Sequence, residues 1–211
     1  TYDRELKDIF AIQDEIARAI GDQLKVRIGG AQAQDAPSTA TGNVEAYDLY
    51  LRGLAQWQLR REQSLWDAVA LFERSLAIDP EFAPAHAGLS LVYSVVDRHS
   101  ARITTQESQQ RARDHAEQAL ALDPASPEAF AALGSIAIDE GRRDTARRLF
   151  QRAIALRPSF ATAHQWLGAS LMTAGELEAG LASLRRSAEL DPRSLVTGHN
   201  QLWALLALGR E

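Results

Sequence analysis

The residues best suited to acid–base or metal chemistry are five histidines, His86, His99, His115, His164 and His199. No two of them stand three or four apart, the spacing that sets two imidazoles on one helical face around an ion. The HExxH, GxSxG and phosphate-loop patterns are missing, and the Gly29–Gly30 pair neither follows a strand nor opens a suitable helix. There is no cysteine, which excludes thiol chemistry and disulfides and fits a reducing, cytoplasmic setting. Carboxylates alternate with arginines as they do on solvated helix faces. No catalytic residue, cofactor or metal ligand is assigned, and the chain is not expected to be an enzyme.

Six arginines, Arg142, Arg143, Arg147, Arg148, Arg152 and Arg157, gather around one helix and could meet an acidic or phosphorylated partner. Asp139, Glu140 and Asp144 lie beside them, and the net charge is -5. These features argue against a nucleic-acid partner. No apolar run approaches the roughly 20 residues of a membrane span.

The elements that would position any site are set by a repeat. Pro80, Pro124, Pro158 and Pro192 each close a short phrase (AIDP, ALDP, ALRP, ELDP), and the last two intervals are 34 residues long. The first interval is 44, the same unit with ten residues inserted within about 97 to 107. Twelve, eight and five residues before each proline stand Ala68, Ala112, Ala146 and Gly180; Phe72, Ala116, Phe150 and Leu184; Ser75, Ala119, Ala153 and Ser187, so the outer two positions are always small and the middle one is large in all units but the second. Apolar spacings of three, four and seven predict two helices per unit, with Gly141 and Gly175 between the halves. Each unit is thus a helical hairpin, too small to bury its own apolar face and stacked on its neighbours.

The unit PEAFAALGSIAIDEGRRDTARRLFQRAIALRP, followed by ATAHQWLGASLMTAGELEAGLASLRRSAELDP, resembles the tetratricopeptide repeat in its Leu-Gly, alanine, aromatic, alanine and terminal proline. The resemblance implies an all-α fold, a right-handed α-solenoid of stacked hairpins over 44–211. Its units are 44–82, 83–126 with the insertion, 127–160, 161–194 and a partial 195–211. His86, His164 and Gly198 stand where the family carries a bulky aromatic, and His86 with His164 read as packing residues.

Residues 1–28 add an amphipathic helix, with Ile9, Ile12, Ile16, Ile20 and Leu24 on one stripe, and 29–43 read as a linker. The phrase YDRELKDIFAIQDEIARAI with EAYDLYLRG resembles a junction of multidomain bacterial signalling proteins. There a TolB-like domain, often after a nucleotide cyclase or winged-helix domain, leads into tetratricopeptide repeats. By this resemblance 1–28 would be the tail of a preceding domain.

In the family the first helices line a concave groove, four, seven, eleven and fourteen residues after each proline. Among those positions Leu91, Ser94, Glu128, Ser135, Ile138, Gln165, Met172 and Trp203 are the peptide-binding candidates. None is lysine or arginine, so a clamp for a terminal carboxylate is disfavoured. The expected partner is a protein or peptide segment, apolar or helical. Apolar Leu202, Trp203, Leu205, Leu206 and Leu208 surround most of the last helix, which implies self-association through this end. The expected function is an interaction scaffold, with a regulatory arm of a bacterial signalling protein as the alternative.

Overall fold

The computed structural model describes Thr41 and residues 43–209; the expected helix over 1–28 and most of the linker at 29–43 lie outside the described residues. The described residues fall within one compact unit, Thr39–Glu211. They form nine α-helices: α1 (Val44–Leu59), α2 (Glu62–Ile78), α3 (Ala83–Tyr93), α4 (Thr105–Leu122), α5 (Pro127–Asp139), α6 (Arg143–Leu156), α7 (Ala161–Thr173), α8 (Leu177–Leu190) and α9 (Leu195–Ala207). A 3-10 turn at Val96–Arg98 follows α3. The hairpins are α1/α2, α3/α4, α5/α6 and α7/α8, with α9 opening a fifth, and each second helix packs on the first helix of the next pair. The first helices also touch in sequence, α1 on α3, α3 on α5, α5 on α7 and α7 on α9. They therefore make a continuous inner row, and the described residues form an all-helical solenoid.

Helix entry is encoded locally. The Asn43 side chain accepts from the Glu45 and Ala46 amides, while Ser126 and Ser194 cap α5 and α9 through the Ala129 and Thr197 amides. Pro127 then occupies the first turn of α5, where its missing N–H costs nothing.

The small and large positions within a unit interlock. Phe72 of α2 and Phe150 of α6 are fully buried. A Cβ placed on Gly134 would stand 2.5 Å from Phe150, and one on Gly53 the same distance from Phe72; Gly88 presses on Phe72 from the next unit. Absent side chains thus set how closely the helix axes approach. At the second small position, Ser75 and Ser187 donate to the carbonyls of Ala46 and Ala161, at 2.7 and 2.9 Å. Each stitches a second helix to the start of its partner and satisfies a buried hydroxyl.

Between the halves, Gly141 and Gly175 have φ of +75° and +83°, and Gly209 after α9 has +64°. The Arg142 and Glu176 amides reach back to the Ala137 and Leu171 carbonyls, closing the left-handed helix termination that glycine adopts most cheaply. At the same turn of the first unit stands Arg60, with φ 52° and ψ 31°.

The insertion has a defined path. Val95, Val96 and Ile103 are buried in the core. Trp66 donates its indole N–H to the Ser100 hydroxyl at 3.0 Å, and Ser100 donates to Glu62 at 2.8 Å.

Candidate functional site

The candidate surface is the inner row of helices. Register places the expected positions there, but burial divides them sharply. Leu91, Ser94, Ser135, Gln165 and Met172 are buried, Leu91 at 2% exposure and Met172 at 4%. Leu91 belongs to the main core, and Met172 packs with Leu181, Leu184 and Ala204. This corrects the expectation that these five residues line a groove open to a peptide. The first helices approach closely enough for their own side chains to fill the space between them. Glu128 is ion-paired with Arg157 and only 15% exposed at its side chain. Ile138 is half-buried beside Trp166. Trp203 is 54% exposed, and with it Val196 (42%) and Leu206 (65%).

The amino-terminal unit, whose inner positions are not singled out by the sequence, carries the aromatics that do much of this filling. Tyr50 meets Phe82 edge to face at 5.3 Å, and burial raises its phenol well above the usual tyrosine range. Trp57 of α1 meets Trp166 of α7 edge to face, centroids 6.5 Å apart, so the inner face is bridged from the first unit to the fourth. The Arg60 guanidinium lies over the Trp57 ring at 3.5 Å and 5.8 Å from that of Trp166.

A polar cluster stands beside this bridge, where the first helices end. Arg98, from the insertion, donates to Asp139 at 3.0 Å, to the Ser94 carbonyl at 2.8 Å and to the Ser135 hydroxyl at 3.0 Å. The Ser135 hydroxyl in turn donates to the same carbonyl at 3.3 Å. Desolvation raises the Asp139 carboxyl, against the pull of Arg98. His99 is exposed, and desolvation followed by the Arg60 and Arg98 charges lowers its pKa. Burial, and then Arg98, likewise pull Arg60 below the usual arginine value.

The remaining polar features are structural. His86 and His164 donate to the carbonyls of Pro80 and Pro158 at 3.1 and 3.0 Å, the same bond in separate copies of the unit. His86 also shares an Nδ1–Nδ1 contact of 3.0 Å with His115. Among the six clustered arginines, Arg142, Arg147 and Arg157 are ion-paired with Glu140, Glu176 and Glu128, and Arg148 donates to Thr145. Among the described residues no group of three or more His, Asp or Glu could hold a metal ion. No helix among them is long and apolar enough to cross a membrane.

Residues 127–160 match the tetratricopeptide repeat family. The fold is similar to a thermophilic tetratricopeptide-repeat protein of Thermus thermophilus, with a TM-score of 0.61 at 21% identity over 77% of this chain and 82% of that one. It is similar too to pilF of Pseudomonas aeruginosa, with a TM-score of 0.53 at 18% identity over 78% and 69%. In sequence, 91 residues are 38% identical to putative adenylate cyclase 3 of Rhizobium meliloti (strain 1021), covering 43% of this chain and 16% of that protein. A further match, 26% over 167 residues, is to the transcriptional regulator HilA of Salmonella typhimurium, covering 76% and 29%. The chain spans less than a third of the length of either curated relative. The proline register, the glycine–phenylalanine interlock and the row of first helices agree with these likenesses: residues 127–160 are a tetratricopeptide repeat, and the described array has the fold of tetratricopeptide-repeat proteins.

Proposed function

We propose that the array is a protein-interaction scaffold that binds an apolar or helical segment of a partner along the inner face of α9, with no catalysis of its own. The observation that carries this reading is the exposure of Val196, Trp203 and Leu206, three large apolar side chains at inner-row positions of one helix. Further back the inner row is filled by its own side chains, so a ligand gains most by covering α9. A helix laid along it would bury an aromatic anchor between aliphatic neighbours, the usual composition of a binding hot spot. A cytoplasmic setting fits a chain without cysteine.

The test is capture of partners by the wild-type array and by Trp203→Glu, with Ala182→Glu on exposed α8 surface as the control. The reading expects Trp203→Glu alone to lose the captured proteins, and equal recovery from all three overturns it. Leu91→Glu and Met172→Glu do not serve this purpose, because burying a charge at either site would unfold the array.

A second reading is favoured by the named relatives, a putative adenylate cyclase and a transcriptional regulator. There the array acts as the regulatory arm of a signalling protein, and partner binding on α9 alters an attached output domain. With the array joined to its output domain, partner addition should change output in the wild type and not in Trp203→Glu. Output indifferent to partner in both would sink it.

A further inference from the structure

Arg60 departs from the logic of its own repeat. In the third, fourth and fifth units the turn after the first helix is made by Gly141, Gly175 and Gly209, all at positive φ. Arg60 holds the same left-handed conformation with a Cβ, which strains the backbone where glycine would not. Strain of this kind persists where the side chain it delivers has a use. Here the turn delivers a guanidinium to the Trp57–Trp166 bridge, stacked at 3.5 Å on the first ring.

Two observations define what that guanidinium lacks. No carboxylate among the described residues forms an ion pair or hydrogen bond with it, although the other cation of the cluster, Arg98, has Asp139. Nor do its surroundings favour a lone charge, since burial and Arg98 both lower its pKa. Yet Arg60 keeps part of its surface in contact with water. The guanidinium is stacked on an indole in a residue that keeps some solvent contact, and no carboxylate among the described residues neutralises it.

We propose that Arg60, with Arg98 and His99 beside it, forms a binding site for a single carboxylate at the end of the inner helix row. An arginine stacked on an indole keeps its edge free, and two parallel N–H donors on that edge match the two oxygens of a carboxylate. His99, neutral near pH 7 because its pKa is lowered, supplies a further N–H at the rim rather than a second charge. A monoanion fits better than a phosphate. Arg98 is already balanced by Asp139, and Asp97 lies near enough to act on both His99 and Asp139, so a dianion would meet repulsion. The site differs from a clamp built on first-helix positions, because Arg60 comes from a turn and Arg98 and His99 from the insertion. It is also independent of the α9 face.

The experiment follows the indole N–H signals of Trp57 and Trp166 in proton–nitrogen spectra, with Trp66 and Trp203 as internal references. The probes are N-acetyl-leucine, for a terminal carboxylate; N-acetylglutamic acid α-amide, for a side-chain carboxylate; N-acetyl-leucinamide, with no charge; and inorganic phosphate. The proposal expects saturable shifts of Trp57 and Trp166 with one or both carboxylates, and affinity at least tenfold lower for the neutral amide. Whichever carboxylate binds more tightly identifies the source. Arg60→Gly should abolish the shifts, and Arg98→Gln should weaken binding severalfold. Glycine is what the later units carry at this turn, so the variant should fold, and Arg60→Gln must give the same answer. Equal shifts from the amide, undiminished shifts in both Arg60 variants, or tighter binding of phosphate would each overturn the proposal. Trp203→Glu should leave carboxylate binding unchanged, so this site and the α9 reading stand or fall separately.

Discussion

At the scale of single residues, the histidines show how far context redirects a titratable group. His115 is pushed down to about 4, first by desolvation and then by the charge of His86 across their shared contact. His86 and His164 are lowered too, desolvation being the larger cause at each. A histidine whose folded pKa lies below its unfolded value near 6.5 binds fewer protons in the folded state. Its contribution is therefore intact above pH 6.5 and is lost as the pH falls toward the folded value. For His115 the loss is on the order of 2 kcal/mol across that window, allowing for partial exposure. Thermal midpoints measured from pH 7.5 to 4.5 should fall in the wild type and fall less in His115→Gln. Parallel curves for the two proteins would assign the acid sensitivity elsewhere. The shared place of His86 and His164 in the unit marks them as packing residues in the sequence, and the bonds to Pro80 and Pro158 show how that packing is made. The His86–His115 contact joins residues 29 apart on two helices, a pairing that only the hairpin geometry creates.

At the scale of the helix pair, stability depends on which positions omit a side chain. Gly134→Ala would press a methyl carbon to 2.5 Å from the Phe150 ring, and because a buried ring cannot yield, overpacking of this kind costs about 1–3 kcal/mol. Gly198, also within a helix, has nothing within 4 Å of its hypothetical Cβ. Gly198→Ala should therefore stabilise by about 0.5–1 kcal/mol through helix propensity alone. Denaturant titration of both variants separates the effects, and a stabilised Gly134→Ala would refute the interlock. The recurring small positions are readable from the proline register, because each unit repeats the same interlock at the same offset. Arg60 is also within reach: it stands seven residues after Gly53, as Gly141 and Gly175 stand seven after Gly134 and Gly168. Its consequence is not, because the stacking on Trp57 and the approach of Trp166 depend on curvature summed over three units, which no single repeat encodes. The buried state of Leu91, Ser94, Ser135, Gln165 and Met172 is hidden for the same reason. Register says which way a side chain points, whereas spacing between neighbouring first helices decides whether anything else can reach it.

At the scale of the whole array, a solenoid buries each apolar face on the next unit, and the last described unit has no second helix to finish the series. On α9 the buried residues are Thr197 and Ala204, whereas Leu195 is 90% exposed and Leu202 58%. These two leucines lie a helical heptad apart and share their face with Leu206, four residues beyond Leu202, while Val196 and Trp203 stand about a quarter turn away. An exposed apolar strip of this kind gains about 25 cal/mol for each Å² covered, enough for several large side chains to drive weak association. The isolated array should thus form concentration-dependent dimers through α9. Light scattering across a dilution series should show a mass that rises with concentration in the wild type and stays monomeric in Leu195→Glu with Leu202→Glu. A wild-type mass that is constant and monomeric at high concentration would remove self-association as a use of this face.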